Sequence, residues 1–325
     1  MDAKTWFREA KFGLMIHWGL YCLPAGEWKG RRTPHIGEWL QSIYRIPNAE
    51  YHRLAEAFNP VLFRADEFAA LARDAGMKYL VITAKHHEGF ALFRSEVSRF
   101  SAPDGTPFRR DIIEELAAAC QKYGIRLGLY YSQALDWSHP HGGGVAWGRT
   151  WGNGEASWTN DWDYPDNAAK NYTICYEEKI KPQVREILTQ YGDLCLVWFD
   201  TPCDISPAQS RELVDMVHKY QPDCLVNSRV GNDLGDYASL GDNEIPEDAA
   251  FAGRQFGLYE SACTLNDTWG YKSFDNHWKD AKRVLEIRDH LNSLGINYLL
   301  NVGPDALGRI PGPAVEILKE AGRRG

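Results

Sequence analysis

LCLVWFD, residues 194 to 200, is a run of apolar side chains closed by a carboxylate. Its length and its branched and aromatic content are those of a strand buried on both faces. KFGLMIHW (11–18), KYLVITAKHH (78–87), IRLGLYYS (125–132), DCLVN (223–227) and INYLLNVG (296–303) share the design. Amphipathic segments fall between several of these runs. ADEFAALARDAG (65–76) and RRDIIEELAAACQKYG (109–124) keep apolar residues at helical spacing and stop on Gly76 and Gly124, a helix-ending signal. NYTICYEEKIKPQVREILTQYG (171–192) and SPAQSRELVDMVHKY (206–220) continue the series. Doubly buried strands alternating with helices mean a parallel sheet, either an open doubly wound sheet or a closed (β/α)8 barrel.

The residues that end each run decide between them. His17 and Trp18, then Lys85, His86 and His87, then Tyr130, Tyr131 and Ser132, then Asp200, then Asn227 and Arg229 stand at successive strand ends. A barrel gathers all of these at one mouth, whereas an open sheet concentrates its ligand groups at one switch point behind a glycine-rich turn. Neither GxGxxG after the first run nor GxxxxGK[ST] occurs. Gly142, Gly143 and Gly144 lie instead in a Trp-rich loop (137–162), which reads as a flexible active-site loop. The expected fold is a (β/α)8-like TIM barrel forming a single domain over residues 1–325.

Composition narrows the partners. The 325 residues hold 36 Lys and Arg against 44 Asp and Glu, a net charge of −8, which argues against binding to nucleic acid or an anionic membrane surface. No apolar run approaches a membrane span of roughly 20 residues, and the charged start MDAKTWFREAKF lacks a secretion signal, so a cytoplasmic location is expected. Seven scattered cysteines without a CxxC pair read as buried reduced thiols. The 12 Trp, 16 Tyr and 13 Phe exceed ordinary core needs and suit a protein that stacks sugars or planar ligands.

Asp200 is the most informative candidate, because a carboxylate opening from an apolar strand into a barrel mouth can act as a nucleophile if a second carboxyl group supplies the proton. His17, His86 and His87 could form a zinc site, but no HExxH occurs and adjacent histidines chelate one ion poorly. Hydrogen bonding to a polyhydroxylated substrate is the preferred reading, with no metal. Ser132 lacks the glycine frame of a nucleophilic serine, and nothing near Cys203 would activate a thiol.

KFGLMIHWGLYCLPAGEW, GEWL, AGMKYLVITAKHHEGFALFRS, RRDIIEELAAACQKYGIRLGLYYS, LVWFD, YESACTLNDTWGYKS and GINYLLNVGPDALGRIP, taken in order, resemble the α-L-fucosidases of glycoside hydrolase family 29. The resemblance runs from about residue 6 to the C-terminus. It implies a retaining double displacement that releases L-fucose from a fucosylated oligosaccharide or glycoconjugate, without a cofactor. Asp200 falls on the nucleophile position. His17, Glu38, Trp39, His86, His87 and Tyr130 fall on positions that bind or pack on the sugar, Arg229 on an arginine near the nucleophile, and Trp269 on an aromatic beside the C5 methyl.

The family does not keep its acid/base at one position. Glu260, in YES where many members have WET, is the first choice, with Glu244 in GDNEIPE the alternative and Glu247 a third. Tyr259 replaces the usual Trp. Most members continue into a C-terminal β-sandwich, whereas this sequence stops at AGRRG, so a single-domain form or a shortened chain is expected. The competing readings are a fucose-binding barrel without catalysis and a metal-dependent sugar isomerase or hydrolase.

Overall fold

The computed structural model describes residues 2–148, 155–248 and 256–325. Eight strands form one sheet in which every pairing is parallel: β1 (Phe12–Ile16), β2 (Tyr79–Lys85), β3 (Arg126–Ser132), β4 (Leu194–Asp200), β5 (Leu225–Val226), β6 (Ala238–Ser239), β7 (Tyr259–Thr264) and β8 (Ile296–Val302). In space they run β5-β4-β3-β2-β1-β8-β7-β6. An isolated parallel bridge between Asn227 and Tyr237 joins the two edges, so the sheet curls back on itself as a (β/α)8-like barrel.

Helices cover the outside. Ala65–Asp74, Ile112–Tyr123, Pro207–Tyr220, Ala281–Ser293 and Gly312–Arg324 each bury one apolar stripe, as does Lys181–Gln190, which a single π-helical turn at Tyr176–Ile180 precedes. Local signals set their ends. Asp111 caps Ile112–Tyr123 by accepting from the Glu114 amide, and Gly124 closes it at φ 68°, in the left-handed region. Ser206 and Gln209 form a reciprocal capping box at Pro207–Tyr220. The path from β5 to β6 carries only a 3₁₀ turn, Ser228–Val230, and the described residues between β6 and β7 carry no helix, so helices do not alternate with strands throughout.

Two layers of core result. One lies between sheet and helices; the other fills the barrel, where Met15, Val81, Tyr130, Leu196, Trp198, Ala262 and Leu299 meet. Small residues make room for large ones there: a Cβ on Gly13 would lie 2.5 Å from the Tyr79 ring. The N-terminal helix Ala3–Ala10 seals the barrel at the strands' N-terminal ends, with Phe7 packed on Tyr237 and its carbonyl accepting from Asn297 Nδ2 at 2.7 Å. The opposite end stays open and carries the site. All seven cysteines are buried and free.

Candidate active site

At the open end, β2 shifts register between Thr83 and Lys85 and stops at Lys85, one residue before the paired histidines. His86 and His87 therefore escape strand alternation, and their rings lie 4.0 Å apart with both lining one recess. His17, just past β1, joins them, as do Glu38, Trp39, Tyr130, Trp198, Asp200, Arg229 and Trp269. Nine of the ten catalytic and sugar-binding residues expected from the sequence are thus brought together, Glu260 being the exception.

Their partners fix their chemistry. Asn301 donates its amide to the Trp269 carbonyl at 2.8 Å, which leaves Oδ1 to accept from His17 Nδ1 at 2.7 Å. Ser132 Oγ donates to the Leu135 carbonyl and accepts from His87 Nδ1 at 2.7 Å. Burial pulls His17 down to about 4 and holds His86 and His87 well below the usual histidine range, so all three are neutral at pH 7. His17 and His87 consequently turn an unprotonated Nε2, an acceptor for a sugar hydroxyl, away from those partners. Burial pushes Glu38 up to about 7, against the Gly270 amide that donates to its Oε2 at 2.8 Å.

Asp200 ends β4 with both oxygens occupied. Tyr130 Oη donates to Oδ2 at 2.8 Å and Arg229 Nη1 to Oδ1 at 3.0 Å. Gln133, which sequence reading missed, ties the two residues' backbones together: its Oε1 accepts from the Asp200 amide at 2.8 Å and its Nε2 donates to the Arg229 carbonyl at 2.8 Å. The Arg229 guanidinium lies 4.6 Å from the centre of the Trp198 ring. Burial disfavours its charge, but Asp242 and Asp200 outweigh that and raise its pKa, so it stays charged.

The other arm of that guanidinium reveals a second missed residue. Arg229 Nη2 donates to Asp242 Oδ1 at 2.6 Å, and Asp242 lines both the recess and a wider outer chamber of about 580 Å³. The two carboxylates differ in exposure: the Asp200 side chain is 14% accessible and the Asp242 side chain 55%. Trp39, His87, Asp200 and Arg229 line the chamber as well as the recess, and Trp147 and Trp158 of the 137–162 loop stand on its wall with Thr201 and Pro202, while Trp151 lies outside the described residues.

Glu260, the residue expected from the sequence as acid/base, does not reach the recess. Glu260 is the second residue of β7, in register with Ser239 and Asn297. Asn301, which meets His17 at the mouth, is four residues further along β8, roughly 13 Å at the rise of a strand. Glu260 is fully buried, and its oxygens accept from Tyr79 Oη at 2.7 Å and Trp198 Nε1 at 2.8 Å. It thus supports the floor from beneath. Glu244 turns back to accept from the Gly241 amide at 2.6 Å, and neither it nor Glu247 is among the lining residues. The glycine run is closely packed: a Cβ on Gly142 would lie 2.1 Å from the Asp136 carbonyl oxygen and one on Gly144 2.4 Å from that of Trp158. Among the described residues no three His, Cys, Asp or Glu side chains are grouped to hold a metal ion.

Comparison with known proteins finds relatives along nearly the whole chain. The family model described as alpha-L-fucosidase matches residues 1–323. The tissue alpha-L-fucosidase of Rattus norvegicus is 31% identical over 94% of the chain, and a putative alpha-L-fucosidase of Caenorhabditis elegans is 29% identical over 98%. The chain spans 64% of the length of each of these curated relatives. The solved structure of alpha-L-fucosidase AlfC from Lactobacillus casei in complex with alpha-L-fucose product is 50% identical with a TM-score of 0.94, covering 100% of this chain and 98% of that one. An AlfC variant in complex with Fuca(1,6)GlcNAc superposes with the same score and identity over the same shares of the two chains.

Proposed function

The chain belongs to the alpha-L-fucosidase family, and from that premise we propose that it hydrolyses terminal α-L-fucosides with retention, Asp200 acting as nucleophile and Asp242 as acid/base. The observation that carries this reading is the single guanidinium of Arg229 held between the two carboxylates, 3.0 Å from one and 2.6 Å from the other. A retaining glycosidase needs two carboxyl groups close together, about 5 to 5.5 Å apart, on opposite sides of the scissile bond.

In the first step an Asp200 oxygen attacks C1 of fucose while the C1–O bond to the leaving sugar breaks, and Asp242 gives its proton to the departing oxygen. The product is a fucosyl ester on Asp200. Esterification removes the negative charge of Asp200 and leaves Arg229 to Asp242 alone, an arrangement suited to a base. Asp242 then takes a proton from water as the water oxygen attacks C1, the ester bond breaks, and Asp200 recovers its charge. The exposure of Asp242 suits a group that must meet both a leaving sugar and water.

The recess supports fucose as the sugar that is held. Neutral histidines and Glu38 offer acceptors to ring hydroxyls, and Trp269, 5.1 Å from His17, gives an apolar surface for the C5 methyl. Because the 50%-identical AlfC is seen with Fuca(1,6)GlcNAc, an α-1,6-linked fucosyl-N-acetylglucosamine is the first substrate to try. Proton NMR of early turnover with 4-nitrophenyl α-L-fucoside should show α-L-fucose before mutarotation. Asp200→Ala should lower kcat by about 10⁴-fold or more. First appearance of β-L-fucose, or an active Asp200→Ala, would overturn the assignment.

A further inference from the structure

Beyond Asp200 the chain leaves β4 along a path that its residues do not favour. Thr201 has φ 51° and Asp204 φ 64°, the left-handed region, where a β-branched threonine is a rare occupant. Between them the Cys203 amide donates to the Thr201 carbonyl at 2.7 Å. Strain of this kind persists where surrounding contacts over-determine it. Here those contacts belong to Asp204, whose carboxylate receives three consecutive amides from the facing loop. Oδ2 accepts from Gly144 at 2.7 Å and Val145 at 2.8 Å, and Oδ1 accepts from Ala146 at 3.1 Å. Such charge-assisted bonds are stronger than neutral ones.

The next residue in that loop is Trp147, on the wall of the outer chamber. Its ring centre is 4.8 Å from Trp158 at 83°, Trp158 is 4.9 Å from Trp39 at 87°, and Trp39 is 5.2 Å from His87 at 72°. A file of edge-to-face aromatic contacts therefore runs from the outer wall into the sugar recess. The recess carries the histidines and Glu38, whereas Trp147, Trp158, Thr201 and Pro202 belong to the chamber alone. Asp200, Arg229 and Asp242 border both, and the chamber opens outward from them as the space for a group leaving the recess.

We propose that Asp204 is the positioning residue of a leaving-group subsite: by fixing the amides of Gly144, Val145 and Ala146 it sets Trp147 as one wall of the chamber and so determines which sugar is accepted on the leaving side. The inference rests on the α-L-fucosidase reading. Asp204 itself touches neither fucose nor the reacting atoms; it acts through Trp147.

The test compares two substrates of the full chain, α-L-fucosyl fluoride, whose leaving group is too small to reach Trp147, and Fuca(1,6)GlcNAc. Asp204→Asn keeps the size but places an NH₂ group against an amide donor. For this variant kcat/KM on the disaccharide should fall about 10-fold or more, through KM, while kcat/KM on the fluoride stays within about 2-fold. The ratio of the two is measured on one preparation, so it does not depend on the fraction folded, and Asp204→Ser should shift it the same way. In a Trp147→Ala background, Asp204→Asn should have no further effect on the disaccharide. An equal fall on both substrates, an unchanged ratio, or additivity with Trp147→Ala would overturn the proposal. A wild type inactive on both substrates would overturn the fucosidase reading itself, and the subsite with it.

Discussion

Glu38 and Glu260 are both buried carboxyl groups pushed up to about 7 by that burial, yet only Glu38 lines the cavity. Glu260 receives Tyr79 and Trp198 and meets no space a substrate could occupy. Its chemistry is therefore a matter of stability. A carboxyl group with a folded pKa above its unfolded value stabilises the fold below the unfolded value, about 4.5, and loses that contribution as pH rises through about 7. Glutamine in its place titrates nowhere in this range. The unfolding free energy of wild type minus that of Glu260→Gln should therefore fall between pH 4.5 and 7, by on the order of 3 kcal/mol, and stay level above. Urea denaturation across that range would measure it. In the same variant the acid/base chemistry should survive, because Asp242 is untouched; loss of the disaccharide reaction with the fold intact would restore Glu260 as the acid. Asp200 was legible because it closes a strand of seven residues, whereas Asp242 follows a strand of only two, Ala238–Ser239, too short to announce a strand end.

The same contrast holds among elements. The long apolar runs gave β1 to β4 and β8 nearly to the residue, because burial on both faces leaves a continuous hydrophobic signal. β7 escaped notice although every residue in it is buried: Glu260, Ser261 and Thr264 break its apolar pattern, and Glu260 and Ser261 are satisfied by Tyr79 and the Glu244 carbonyl, partners that a local reading does not show. The packing of the glycine run was not legible either, since sequence shows that a glycine is present but not which atoms crowd it. Two substitutions separate these meanings. Gly124→Ala meets open space and should cost only the left-handed backbone penalty, about 1 kcal/mol, with kinetics unchanged. Gly142→Ala drives a Cβ against a backbone carbonyl, and should cost about 1 to 3 kcal/mol and raise KM for the disaccharide by displacing the loop that carries Trp147. Thermal denaturation alongside steady-state kinetics would distinguish them.

The whole molecule divides along the barrel axis. The helix Ala3–Ala10 closes one end with Phe7 and Asn297, and the strands' C-terminal ends build the reactive face at the other. The convergence of His17, His86, His87, Tyr130, Asp200 and Arg229 on one mouth could be read before the fold was seen, because these residues close apolar runs, whereas Glu38, Trp39 and Trp269 lie on connections and were reached only through the family resemblance. The place of Asp242 could not be read, because it depends on how the connection after β6 is draped over the mouth beside Arg229. If two carboxylates and one guanidinium supply the chemistry, a chelator should leave hydrolysis of 4-nitrophenyl α-L-fucoside unchanged. The most direct test of the Asp200–Asp242 pair is the anomeric configuration of the products formed in azide. Asp242→Ala should slow hydrolysis of Fuca(1,6)GlcNAc by about 10² to 10⁴-fold. With 4-nitrophenyl α-L-fucoside and azide, it should give α-L-fucosyl azide by two displacements, while Asp200→Ala gives the β-azide by one. An Asp242→Ala enzyme that hydrolyses the disaccharide at the wild-type rate and forms no α-azide would contradict the account.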